Sequence, residues 1–334
     1  MIVAALYRNA TKALLVPKMG RLPSLDVARL MCVLAVVGLH AVQLSEDSAA
    51  DHFAWYIVWR LAPIRMPLLM LISGFLTAGI VGEPRRAWAR VRNILWIFAI
   101  WSAVTLAASP GESITQLPAE FLNPTTPLWY LWVMALLTAC LAVLSRVAVV
   151  GLAVLLGGAS LYWSGPEPTG LGFVSLLRYG PFFCVGALAP AAVRWLLTAP
   201  AVWLLPVAVV GVALEEWGSQ AELNYPLRIF LVGPFLCVTA LLVARLISAI
   251  PWLGALFATG GQRTVALYVA HPLVLVIVAR AFGRASLPLS FCTTVVICFL
   301  LYGVAQRARA GWLYEYPDWN AASKGGPGAL TLKP

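Results

Sequence analysis

The 334 residues are 61% hydrophobic and only 11% charged, with a formal net charge of +10 from 23 Lys and Arg against 13 Asp and Glu. Soluble domains carry roughly a quarter charged residues, so too few polar side chains exist here to cover a water-facing surface, and a soluble enzyme is excluded. A spanning helix takes ~20 apolar residues, which makes this a polytopic membrane protein with material for about ten spans.

Breaking the chain at charges and at Gly, Pro, Ser and Asn clusters predicts a leader over 1–23, a transmembrane domain over 24–308 and a polar tail over 309–334. The apolar segments of the domain run 24–44, 54–80, 88–108, 127–145, 147–163, 172–191, 200–217, 226–248, 263–282 and 287–306. None alternates with period two over a strand length, against a β-barrel, so the fold class is an all-α bundle of ten spans. The leader is broken by charge and lacks a small-residue cleavage site, which reads as a cytoplasmic segment and not a signal peptide. Lys and Arg gather in the leader, in the connection with Arg85, Arg86, Arg90 and Arg92, and at Arg146, Arg194, Arg245, Arg263, Arg307 and Arg309. The alternate connections hold nine of the 13 acids: Glu46, Asp47, Asp51, Glu112, Glu120, Glu167, Glu215, Glu216 and Glu222. By the positive-inside rule both termini are cytoplasmic, with Arg280 and Arg284 dissenting. The tail after Ala310 reads as a short amphipathic stub followed by disorder.

The basic balance follows from these retained cations and from no dense basic tract with interleaved aromatics, so the expected partner is the lipid bilayer and not nucleic acid. All six cysteines lie in apolar runs without CxxC or Cys/His spacing, so neither a disulfide framework nor a metal site is expected.

Ionisable groups within spans are expensive and mark candidate sites. The first segment, RLPSLDVARLMCVLAVVGLHAV, holds Asp26, Arg29 and His40. Arg29 and His40 are eleven positions apart, three turns plus about 20°, so they share a face ~16.5 Å apart along the axis. That places the arginine near the cytoplasmic surface and the histidine near mid-membrane, suiting a ligand with an anionic head and a deep reactive end. An imidazole is the side chain best fitted to general-base work near neutrality. Asp26, three positions before Arg29, either pairs with it or takes part in the chemistry. In WYIVWRLAPIRMPLLMLISGFLTA, Arg65 either snorkels to the outer surface or faces an anionic or hydroxylated acceptor, and Ser73 with Gly74 permits close helix approach. EPRRAWARVRNILW sets four arginines in eight residues, read either as positive-inside anchoring or as phosphate binding. Arg178, Arg228, Glu215 and Glu216 form either a salt-bridge scaffold or an acceptor pocket. In TVALYVAHPLVLV, Pro272 predicts a bend that presents His271 to a cavity.

These motifs resemble the acyltransferase-3 family of integral membrane acyltransferases, which modify cell-envelope glycans and related acceptors. RLPSLDVARLMCVLAVVGLHAV is similar to the family's opening Leu-Asp…Arg…His helix, with its spacing at Arg29 and His40. MPLLMLISGFL resembles its Pro-Leu-Phe-Phe…Ser-Gly-Phe segment, PLWYLWVMALL its Trp-Phe-Leu element, RYGPFFCVGALA its Phe-rich Gly segment and ALYVAHPLVL its late Tyr…His-Pro helix. The set runs in family order over about residues 21 to 305. Asn93 stands where the family often has the second Arg of Arg-x-x-Arg, and Leu30 replaces the Gly after the first-helix Arg. The resemblance implies transfer from acyl-CoA, most often acetyl-CoA, to a hydroxyl of a glycan or glycolipid acceptor at a bacterial inner membrane. Arg29, Arg86, Arg90 and Arg92 would then hold the donor's phosphates. His40 would act as base with Asp26 and His271 in support, and Arg65, Ser73, Trp129 and Tyr130 would face the acceptor. A secondary transporter for a small anionic solute is the rival class; its expected internal repeat is not evident.

Overall fold

The computed structural model describes residues 22–44, 49–109, 111–163, 171–282 and 287–317. The leader up to residue 21, Glu46, Asp47, Glu167, Arg284 and the tail past residue 317 lie outside them. The chain forms α1 (Pro23–Leu44), α2 (Ala49–Arg60), α3 (Ala62–Thr77), α4 (Pro84–Ala108), α5 (Leu117–Leu122), α6 (Trp129–Val143) and α7 (Arg146–Tyr162). It continues with α8 (Leu171–Leu188), α9 (Pro190–Thr198), α10 (Ala201–Gln220), α11 (Tyr225–Ala249), α12 (Pro251–Gln262), α13 (Thr264–Phe282) and α14 (Leu287–Arg307), with no strand among the described residues.

Eight helical segments, α1, Ala62–Ile80, α4, α8, α10, α11, Thr264–Ala281 and α14, are long and apolar enough to cross a membrane. The shorter apolar α6 and α7 account for the other two predicted segments. Helix starts follow local chemistry. Proline, whose missing N–H costs nothing in the first turn, opens α3, α4, α5, α9, α11 and α12. Ser145 and Asn224 cap α7 and α11 by accepting from Ala148 N and Leu227 N.

The structure departs from the sequence reading in three places. The segment expected over 54–80 is two helices that part at Leu61, two residues before Pro63. Both α9 and α12 occupy stretches read as connections. The glycines of α12 look like breakers, yet they let it press on α1: a Cβ at Gly261 would lie 2.1 Å from the Asp26 carbonyl oxygen.

Helix α1 lies at the centre, packed against α3, α11, α12 and α13. Beside it α3 and α8 meet backbone to backbone. A Cβ at Gly74 would lie 1.9 Å from Phe183 O, and one at Gly186 2.1 Å from Leu71 O, so only glycine permits this crossing. At the rim α14 buries only Thr294, Cys298 and Ala305, and leaves Val296, Leu300 and Val304 exposed to hydrocarbon.

One end of the bundle, where α2 meets α10 and α11, is tied by ions. Arg228 is fully buried, donates from Nε to Glu215 Oε2 at 3.0 Å and from Nη2 to Glu215 Oε1, and lies 3.4 Å over the Trp59 ring. Arg60 bridges to Glu216 at 2.9 Å and approaches Glu215 at 3.9 Å. Of the two readings open for Arg228, Glu215 and Glu216, the scaffold is the one observed; Arg178 instead lies over the Tyr225 ring at 5.3 Å.

Opposite these, residues 311–317 pack along α4. Trp96 donates to Trp312 O at 2.8 Å, Trp101 to Leu313 O at 2.7 Å, and Asn93 accepts from Tyr316 N at 2.6 Å.

Candidate active site

The two membrane histidines meet. His40 on α1 and His271 on α13 stack with ring centroids 5.2 Å apart and planes 28° from parallel. His40 is four residues from the end of α1, so it stands nearer that helix's terminus than its middle, whereas His271 is the eighth residue of the 19 in α13. The helices are staggered, and the pair is central by reference to α13.

Backbone chemistry explains the pose of His271. Pro272 has no N–H, so the carbonyl four residues back, that of Tyr268, loses its helical donor. His271 Nδ1 fills that place at 2.6 Å. Nδ1 therefore carries the proton and Nε2 keeps a free lone pair. That Nε2 is buried and has no hydrogen-bond partner among the described residues. A bare imidazole acceptor in a dry interior is costly unless a ligand uses it. Helix α13 runs through Pro272 as one element.

His40 is half-buried, with Nδ1 2.8 Å from Gln43 Oε1 one turn on. Accepting at Gln43 again leaves Nε2 as the basic nitrogen. Arg65, buried and donating to Val58 O at 2.8 Å, stands within electrostatic reach of His40 and of Tyr179. It thus closes the end of α2 beside the imidazole and does not snorkel.

Below the histidines a polar line continues. Tyr268 packs 5.8 Å from the His271 ring and 5.2 Å from Tyr130. Ser73 donates to Leu69 O at 2.7 Å, so the Tyr130 hydroxyl, 2.5 Å away, is the donor to Ser73 Oγ. The charges of Arg29 and Arg90 both act on Tyr130 and on each other. Arg90 also donates to Leu76 O at 3.3 Å. Arg29 approaches Asp26 to 4.0 Å. Asp26 and His40 are fourteen positions apart, ~21 Å along α1, so this carboxylate belongs with the arginines and not with the imidazole pair.

The four arginines of α4 do not converge. Arg90 turns inward, but Arg92, two positions and about 200° further round, lies 4.1 Å over the Tyr316 ring, and Arg86 is exposed. Trp129 stacks on Tyr179 at 5.5 Å, whose hydroxyl is 3.0 Å from that of Tyr225. Among the described residues no group of three His, Cys, Asp or Glu is placed to hold a metal.

The site thus combines paired imidazoles, an arginine pair and an Arg29-to-His40 face along a central helix. A family model described as an acyltransferase domain matches residues 22–303. The chain belongs to the acyltransferase-3 family. The chain is 26% identical over 187 residues to the nodulation protein NolL of Mesorhizobium japonicum. The match covers 52% of this chain and 48% of that relative, so the chain spans about half the length of the relative it matches. No solved structure matches it.

Two residues beside the histidines escaped the sequence reading. Tyr268 is three residues before His271 and shares its face, a signal present in the Tyr…His-Pro motif itself. Gln43 stands in the same relation to His40.

Proposed function

We propose that the protein moves an acyl group, acetyl first among the candidates, from cytoplasmic acyl-CoA to a hydroxyl of a cell-envelope or lipid-linked carbohydrate at a bacterial inner membrane. The observation that carries this reading is the stacked His40 and His271 pair, with His40 on the same face of α1 as Arg29. The donor's phosphates meet Arg29 and Arg90, whose guanidinium forks suit phosphoryl oxygens, and Asp26 holds Arg29 in place. Arg86 and Arg92 act at the surface. The pantetheine arm follows α1 toward His40, ~16.5 Å along the axis.

His40 Nε2 takes the acceptor hydroxyl's proton as that oxygen bonds to the thioester carbonyl carbon. The carbon–sulfur bond breaks, and the imidazolium returns the proton to the departing thiolate, giving an ester and a free thiol. His271 positions the acceptor through its unpartnered Nε2. Arg65, buried against the imidazole side of the bundle, stabilises negative charge developing on the carbonyl oxygen. Tyr130, Ser73 and Trp129 line the approach.

The test is label transfer from [14C]acetyl-CoA to envelope glycan by the purified protein in nanodiscs. His40→Ala should abolish transfer while the folded protein is recovered in normal yield; full transfer in that variant would remove His40 from the role of base. Arg29→Ala with Arg90→Ala should raise the acetyl-CoA KM at least tenfold, whereas Arg92→Ala should leave it near the parent value. Unchanged donor KM in the double variant would reject this donor site.

A further inference from the structure

An oxygen-rich cavity stands at the far end of α4. About 220 Å³ in volume, it lies between Thr105, Leu106 and Ser109, Glu112, and the loop residues Thr125, Thr126 and Pro127. Thr105 is nineteen residues past Arg86, ~28 Å along the helix axis, so the cavity and the arginines of α4 lie at opposite ends of that helix.

The polar wall presents lone pairs. Glu112, whose N–H turns back to Ser109 O at 3.4 Å, has a side chain that only accepts. Thr125 and Thr126 donate both hydroxyls and both backbone N–H groups to Glu120, so their hydroxyls have only lone pairs left to offer. Ser109 spends its proton on Thr105 O at 2.9 Å. The Pro127 carbonyl takes the Tyr268 hydroxyl at 2.6 Å and keeps a second lone pair. Thr105 is 6% accessible, and its Oγ1 has no hydrogen-bond partner among the described residues. A buried polar atom at a cavity wall, bonded to nothing in the protein, calls for a ligand.

Charge points the same way. Glu120 is 2% accessible, and its partners are all neutral. Among the described residues no Lys or Arg bridges Glu120 or Glu112, and none lines the cavity. Buried carboxylates are ordinarily paired with a cation or set against a metal, as Glu215 is paired with Arg228 and Arg60. Here two carboxylates share one neighbourhood, and their counter-charge must come from solution.

The donor set selects the ion. Carboxylate, hydroxyl and carbonyl oxygens, without imidazole or thiolate, suit a hard cation. The space exceeds a bare ion by several waters at about 30 Å³ each. Calcium takes about six to eight oxygens in irregular geometry, waters included, whereas magnesium demands a near-ideal octahedron.

We infer that this cavity binds one partly hydrated calcium ion, which ties the turn of Ser109 and Glu112 to the loop of Thr125, Thr126 and Pro127. Glu112 supplies the charged ligand and Thr105 Oγ1 a neutral one, while Glu120 holds the loop hydroxyls with their lone pairs free for the metal. Tyr268 bonds to the same loop, so the ion braces the surface on which α13 docks. The site needs nothing of the acyl-transfer reading and stands or falls apart from it.

Terbium, a luminescent stand-in for calcium, is titrated into the full chain in dodecyl maltoside after chelator treatment, with tryptophan excitation. Trp101, one turn before Thr105, and Trp132, whose indole donates to Phe121 O at 2.8 Å, serve as antennae. One terbium per chain, displaced by calcium at about 0.1–1 mM, supports the site. Glu112→Gln should weaken binding about tenfold and Thr105→Val severalfold, with Thr105→Ser restoring it; Glu222→Gln, an exposed acid elsewhere, should change nothing. Calcium at about ten times its Kd should raise the Tm by ~2–4 °C in the parent and not in Glu112→Gln. Luminescence that never saturates, or that is unchanged in both Glu112→Gln and Thr105→Val, overturns the inference. So do displacement by magnesium at lower concentration than by calcium and a parent Tm indifferent to calcium.

Discussion

Removing the counter-charge of Arg228 should destabilise the bundle far more than removing the whole ion pair. Arg228 is fully buried, forked on Glu215 and stacked 3.4 Å over Trp59. In Glu215→Leu its guanidinium keeps only the Trp59 carbonyl at 3.5 Å, a marginal bond, while Arg60 retains Glu216 at 2.9 Å. Stripping one partner from a buried pair costs about 3–5 kcal/mol. The Glu215 side chain is 9% accessible, which lets some solvent relax the charge, so the lower end, about 3 kcal/mol, applies. The double variant Glu215→Leu, Arg228→Met removes both charges and should fall within about 1 kcal/mol of the parent, because hydrophobic replacement of buried pairs is commonly neutral or better. Unfolding in dodecyl maltoside by rising SDS fraction, followed by tryptophan fluorescence, reads both. A single variant no less stable than the double would show that the pair does not hold this end of the bundle.

Three further outcomes follow from contacts elsewhere. Gly186→Ala drives a methyl onto the Leu71 carbonyl, 2.1 Å away, and should cost at least the ~1–3 kcal/mol of ordinary overpacking; Gly158→Ala, which meets nothing within 4 Å, is its neutral control in thermal size-exclusion assays. Trp101→Phe loses the donor to Leu313 O at 2.7 Å, so trypsin cleavage at Arg309 should speed up about fivefold, near 1 kcal/mol for one such bond; an unchanged rate would mean that the tail is held by other contacts. Tyr130→Phe keeps its ring but removes the donor to Ser73 Oγ, and should raise the acceptor KM about five- to tenfold with little loss of folded protein. Equal acceptor KM values for parent and variant would separate Tyr130 from the acceptor's approach.

Much of the fold was legible because hydrocarbon imposes a simple code: all ten apolar segments contain helix. The code fails where polarity or glycine has a second use. The glycines of PWLGALFATGGQ suggest a connection by propensity, but at Gly261 they serve contact with the Asp26 backbone, which no single-sequence pattern carries. The split of 54–80 was signalled by Pro63, one residue too weak to weigh against an unbroken apolar run. At the site, the Arg29-to-His40 face was readable because helical geometry alone determines it. The stacking of His40 on His271 joins residues 231 positions apart, and no local periodicity reports it. The arginines of α4 misled for the opposite reason: proximity in sequence suggested one cluster, and two positions of helical rotation separate Arg90 from Arg92.

Buried Glu120 accepts from the backbone N and the side-chain hydroxyl of both Thr125 and Thr126, and this clamp bears on how the chain is assembled. Its four accepted bonds reach only five and six residues ahead, so the loop closes on itself by contacts of minimal sequence separation, which form early and need no partner helix. Tyr268, by contrast, reaches the Pro127 carbonyl from 141 residues away. The bend at 123–127 is then a prefabricated part, finished while the late helices are still being made, and α13 docks onto it when it arrives with His271. Completion of the imidazole pair is thereby deferred to the last stage of synthesis, and a nascent chain lacking α13 has its loop in place but no second histidine.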